Sequence, residues 1–211
     1  MRVTYVIAII ILISFAASFV LGTEYIFGRF GFSGKNLLAH PEVLVTSVFL
    51  HGSIVHLLSN ILVLLFFGLA VEDELGKARM LAVFFLGAFA GDLFSLLFYP
   101  FDSLSIGASA GIFALIGIGM LVRPLDLSVY PLIVPVPLAF LGVFYALYNA
   151  YGFVFDASSN ISYIAHFGGM AVGLAYGFMK KGVKKGLKII LVTIGIMILI
   201  PILFVLLKVA L

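Results

Sequence analysis

Ser109 lies in the run Gly107-Ala108-Ser109-Ala110-Gly111, at the opening of an apolar stretch that continues to Gly117 and beyond. A serine hydroxyl is a weak nucleophile until a base takes its proton, and histidine titrates in the range where it can do so. His166 is the leading base. Two further histidines, His51 and His56, precede Asn60, and the four-residue spacing of His56 and Asn60 puts both on one face of a helix. Acyl transfer also needs donors aimed at the oxyanion that develops, and His56, the Asn60 amide and the Ser109 N–H are candidates for that task. The positive end of the helix that Ser109 opens favours the same charge. Two plainer readings stand beside this one. Small residues at helical spacing let membrane helices approach closely, and a lone His or Asn in a span commonly makes an interhelical hydrogen bond. A third reading makes His51, His56 and His166 metal ligands. It is disfavoured because no carboxylate lies at that level on the same helices, and Asn60 and Ser109 are poor zinc ligands.

These side chains need a scaffold, and the composition dictates which kind. The chain has 211 residues, of which 64% are hydrophobic and 10% charged, against about 45–50% and about 25% in an ordinary soluble domain. Several apolar runs reach the ~20 residues that cross a bilayer as a helix, so the fold class is an all-α polytopic transmembrane bundle. Cysteine is absent, which excludes disulfides, thiolate metal sites and a cysteine nucleophile. The formal charge of +3 needs no nucleic-acid partner, because the cations fall in short loops between spans.

The expected first span runs from Val3 to about Gly22 and is too long for a signal-peptide core. Residues 23–47, with Glu24, Arg29, Lys35 and Glu42 among several aromatics, suit a loop lying in the membrane interface. A second span is expected over about 53–71, then a charged turn over 72–79, a third span over 80–99 containing Asp92, and a loop over 100–106. The fourth covers 107–122. The fifth, with Pro135 and Pro137 near its start, covers about 132–148, and a polar loop follows over 151–160. A sixth span over 161–179, a basic turn and a seventh span over about 187–207 complete the chain. With a cytoplasmic N-terminus, that side collects Arg2, Lys77, Arg79, Arg123, Lys180, Lys181, Lys184, Lys185 and Lys188, and the other side Arg29, Lys35 and Lys208. The lysine and arginine bias sets this orientation. The second, fourth and sixth spans then begin on the outer side, which brings His51, His56, Asn60, Ser109 and His166 to one depth.

The pieces His51-Gly-Ser-Ile-Val-His56-Leu-Leu-Ser-Asn60, Glu72-x-x-Leu75-Gly76, Gly107-Ala-Ser109 and Ala165-His166-Phe-Gly-Gly169 resemble, in order and spacing, the rhomboid intramembrane serine proteases. The resemblance spans the second to sixth segments. It implies a six-helix catalytic core, here residues 1–180, with 181–211 adding the basic turn and a C-terminal span. It implies a Ser109–His166 dyad with no acidic third member, an oxyanion hole from His56, Asn60 and the Ser109 N–H, and no cofactor. It also implies a cavity open to the outer side, an aromatic fifth span as lateral gate, residues 151–160 as a cap, and transmembrane protein segments as substrates within the cell membrane.

Three positions depart from the family pattern. Ala110 follows the serine where glycine is usual, Phe113 replaces a tyrosine that packs on the histidine, and Glu42-Val43 stands where many members carry Trp-Arg. Supporting positions are His51, Gly107, Phe113, Glu72, Gly169 and Gly173; the last two are expected to press the sixth span into a groove at Gly107 and Gly111. Asp92 is read first as a structural acid and second as a group that orients a side chain. The rival functions are a catalytically silent rhomboid-like binder of membrane proteins and a small channel or transporter.

Overall fold

A computed structural model describes residues 1–127, 136–156 and 161–210. The described chain is helical nearly throughout: α1 (Val3–Leu21), the short helices α2 (Thr23–Phe30), α3 (Gly34–Ala39) and α4 (Val43–Thr46), α5 (Ile54–Val63), α6 (Leu69–Leu75), α7 (Lys77–Ser95), α8 (Ser109–Val122), α9 (Leu138–Phe155), α10 (Tyr163–Lys181) and α11 (Val183–Ala210). A π-helical turn, Leu64–Gly68, joins α5 to α6, so that residues 54–75 form one continuous segment. Among the described residues, five segments are long and apolar enough to span a bilayer: α1, α5–α6, α7, α9 and α11. α8 is shorter, and α10 carries four glycines, His166 and two terminal lysines that lower its hydropathy.

α8 is the axis of the bundle. All thirteen residues from Ala110 to Val122 are buried, which frees the helix from matching the membrane's thickness: 14 residues rise about 21 Å, against about 30 Å of hydrocarbon. α7 and α10 pack on it where side chains are smallest. A Cβ on Gly87 would collide with Ala114, and one on Gly91 would lie 2.6 Å from the Cβ of Ala110. Cβ atoms on Gly169 and Gly173 would strike the carbonyl oxygens of Ala110 and Ala114. This corrects the expected groove. Gly111 faces Phe84 of α7 instead, and Gly107 precedes the helix. Residues 110 and 114 share one helix face, whereas 111 is turned about 100° away.

The helix ends sort into two faces. On one, Arg2 pairs with Asp73 at 3.2 Å, while Glu74 takes Arg123 at 3.4 Å and Lys181 at 3.5 Å. The N-terminus, the α6–α7 junction and the C-terminal ends of α8 and α10 therefore lie together. Glu72 caps α1, accepting the backbone N–H groups of Val3 and Thr4 and the Thr4 hydroxyl at 2.7–2.9 Å. The charged turn expected over 72–79 is narrower: α6 continues to Leu75, α7 starts at Lys77, and Gly76, at φ 80°, makes the whole turn. On the opposite face the α2–α4 segment is tied to the loop before α8 by paired Phe32–Ser105 backbone bonds and by Gly107 N–H to Ser47 O at 2.9 Å. Within that segment Arg29 pairs with Glu42 at 3.0 Å. A backbone hydrogen bond, followed by the Arg29 guanidinium, holds the Glu42 carboxyl below its usual range.

α9 runs later than the sequence suggested, from Leu138 to Phe155. The expected start over 132–135, with Pro135, lies outside the described residues, as do residues 157–160 of the expected cap. Residues 151–155 of that cap are helical, because aromatic and apolar residues continue to Phe155.

Candidate active site

Gly107 is the first device that builds the site. Its φ of 124° is open to glycine and strained for other residues, and a Cβ there would meet His56 Nε2 at 2.8 Å. The missing side chain lets the His56 ring rest against the start of α8. Ser109 is the first residue of that helix, whose first-turn N–H groups have no intrahelical partner and point toward whatever lies beyond the end.

On α10, one turn in from the N-terminus, His166 is brought to Ser109 by the glycine contacts described above. Its Nε2 lies 2.8 Å from Ser109 Oγ. The ring stacks on Phe113 with centroids 4.2 Å apart and planes 8° from parallel, and Tyr163 meets it edge-on at 6.4 Å. Phe113 thus keeps the stacking surface without a hydroxyl. The other imidazole nitrogen, Nδ1, lies 2.8 Å from Asn149 Oδ1, and Asn149 Nδ2 donates to the Tyr163 carbonyl at 3.1 Å. Asn149 belongs to α9 and is 2% exposed.

Sequence reasoning missed this asparagine. The available signal was a lone amide in an aromatic, apolar run, 17 residues before His166 and beyond the expected end of the fifth span.

His51, 1% exposed, lies beside His56 with ring centroids 4.7 Å apart. Asn60 donates to the His56 carbonyl of its own helix at 2.8 Å; an amide nitrogen carries two hydrogens, so one remains to be given. Asp92 accepts from Ser105 Oγ at 3.3 Å and is buried. The hydroxyl it binds belongs to the loop before α8, while the imidazole is bound by Asn149. His166 has both ring nitrogens engaged, and among the described residues no three His, Asp or Glu side chains converge as a metal site. The three-histidine ligand set is therefore not assembled. Glu72, at the opposite face, takes no part here.

His56, Asn60, Asp92, Ser109, Asn149 and His166 all line one cavity of about 970 Å³ enclosed by α5, α7, α8, α9, α10 and the loop before α8. Its wall is mixed, with Val63, Ile116 and Phe113 below and Ser53, Ser59, Ser103 and Ser105 among the polar groups.

A polytopic all-α integral membrane protein that holds a hydrogen-bonded serine and histidine in a cavity of mixed lining is a narrow class, and sequence comparison agrees with it. Residues 39–182 match the rhomboid domain; the chain belongs to the rhomboid family. It is 34% identical to RHOMBOID-like protein 4 of Arabidopsis thaliana, across 64% of this chain and 33% of that protein. It is 41% identical to Rhomboid-like protease 3 of Toxoplasma gondii, across 35% of this chain and 27% of the relative. With Inactive RHOMBOID-like protein 8 of Arabidopsis thaliana it shares 36% identity, across 41% of this chain and 25% of the other. The chain thus matches a third or less of the length of each of these relatives.

Proposed function

We propose that this chain is an intramembrane serine endopeptidase acting on transmembrane segments of other proteins. The observation that carries the reading is the 2.8 Å contact between Ser109 Oγ and His166 Nε2 inside a cavity walled by membrane helices; the protease among its relatives supports it. In this reading Ser109 Oγ attacks the scissile carbonyl carbon as its proton passes to His166 Nε2. The carbonyl oxygen becomes an oxyanion held by the Ser109 N–H, His56 and the second hydrogen of the Asn60 amide, with the positive end of α8 behind them. When the C–N bond breaks, His166 returns the proton to the leaving amine. Water then attacks the acyl-serine, with His166 again as base, and releases the carboxylate and the free hydroxyl. The substrate is a segment whose helix unwinds locally, because a peptide bond in a regular helix has its carbonyl hydrogen-bonded and shielded. The lysine and arginine bias puts the N-terminus in the cytoplasm and the cavity toward the outer side.

One relative is named inactive, so the experiment must separate cleavage from binding. Purified protein in lipid nanodiscs is mixed with a reporter whose transmembrane segment carries a helix-breaking pair, and products are followed by mass. Ser109→Ala and His166→Ala should each lower the rate by at least about 10³-fold. Cleavage that survives either substitution removes the dyad; binding of the reporter without cleavage by wild type favours the silent binder.

A further inference from the structure

We propose that Asn149 is a positioning residue that selects the tautomer and ring orientation of His166, so that the hydroxyl, imidazole and amide act in line. This rests on the reading of Ser109 and His166 given above. The Tyr163 carbonyl can only accept. The Asn149 atom 3.1 Å from it must therefore be the Nδ2 donor, which turns Oδ1 toward the imidazole. An amide oxygen also only accepts, so the His166 Nδ1 at 2.8 Å carries the hydrogen. In a neutral imidazole the other nitrogen is then an acceptor. Nε2 faces Ser109 Oγ with its lone pair, as proton abstraction requires. Each link fixes the direction of the next, from Tyr163 O to Ser109 Oγ.

Phe113 cannot make this selection. Stacking at 8° fixes the plane of the ring, but a half-turn about Cβ–Cγ preserves the plane while exchanging the ring's two edges. Asn149 distinguishes the two states, because only one presents an N–H to Oδ1. It keeps the same bond when His166 is protonated during turnover, since both ring nitrogens are then donors. In a site 2% exposed at Asn149 and 8% at His166, water is a poor substitute for the missing acceptor, and a buried N–H left without one is unfavourable. Losing the amide therefore favours the tautomer with the hydrogen on Nε2, which cannot accept from serine. Asn149 comes from α9 and His166 from α10, so the base is set only while these helices are docked.

The test uses the full chain in nanodiscs with two variants. Asn149→Ala removes both bonds, and Asn149→Asp keeps an acceptor beside Nδ1. Asn149→Ala should lower kcat at least about tenfold with KM changed by less than about twofold, and Asn149→Asp should recover most of that loss. In parallel, ¹⁵N spectra of histidine-labelled protein, with His166 assigned by His166→Gln, should show Nδ1 protonated and Nε2 unprotonated in wild type. They should show a mixed or reversed pattern in Asn149→Ala. Wild-type kcat in Asn149→Ala, or an Nε2-protonated His166 in wild type, would overturn the proposal. The spectra do not depend on cleavage, so a protein that fails to cut peptides defeats the protease reading while the tautomer assignment is still judged.

Discussion

α10 and α11 are neighbours in sequence, separated by Gly182, and opposite in character. α11 is the most apolar of the described spans; only 6% of its most apolar stretch is buried, and it contributes nothing to the cavity lining. α10 is more polar and glycine-rich, yet nine of its residues are buried and it supplies His166. The helix best suited to lipid stays away from the cavity, and the one that carries His166 is held by protein. In a bilayer, lipid tails solvate apolar side chains as well as another helix does, so close backbone packing has to provide the association.

Substitutions at matched glycines test this contrast most severely. Gly169→Val on α10 drives a side chain into the Ala110 carbonyl, and overpacking of this kind costs about 1–3 kcal/mol or more. Displacing His166 by ~1 Å is enough to lower the rate about 10²-fold. The expected result is near-complete loss of cleavage and a lower thermal midpoint. Gly195→Val on α11 adds the same atoms where nothing lies within 4 Å, and both measurements should stay at wild type. Equal effects at the two glycines would dissolve the comparison.

Removing α11 has an intermediate effect. A chain ending at Gly182 loses the contacts of Ile189 and Ile190 with the small cluster of Met120, Leu121 and Ala139. It should unfold at lower temperature while its turnover falls less than about tenfold, or about 1.4 kcal/mol in the barrier; abolished turnover would make α11 part of the catalytic body. The smallest effect is expected at the end of α9. Tyr163→Phe removes the 3.1 Å bond to Asp156 Oδ2 but keeps the ring against Gly152. Its cost, read from thermal unfolding, should stay within about 0.5–1.5 kcal/mol.

How far the sequence could be read follows from the same physics. Apolar runs marked α1, α5–α6 and α11 to within a few residues because the bilayer imposes a length. The fourth span, expected over 107–122, likewise falls within two residues of α8; what the apolar runs could not give was the partners of Gly169 and Gly173. Composition says that small residues will meet, but helix phase decides which, and the carbonyls of Ala110 and Ala114 were chosen over Gly111. The serine and three histidines were legible because their residue types and motif spacing carry chemistry. Asn149 was not. Its link to His166 crosses between two helices, so no periodicity connects them, and an amide near a helix end has many ordinary roles.

The cap that Glu72 places on α1 has a consequence for how the protein is made. Its carboxylate lies 68 residues beyond Thr4, so the first helix emerges from the ribosome long before the group that seals its first turn. At about 5–20 residues per second, that delay is roughly 3 to 14 s. During that interval the leading helix is in the bilayer with its terminal amides satisfied by water or headgroups, and it can slide or tilt. Arrival of the α5–α6 segment then clasps it at one depth, making the membrane register of the first span an event of assembly.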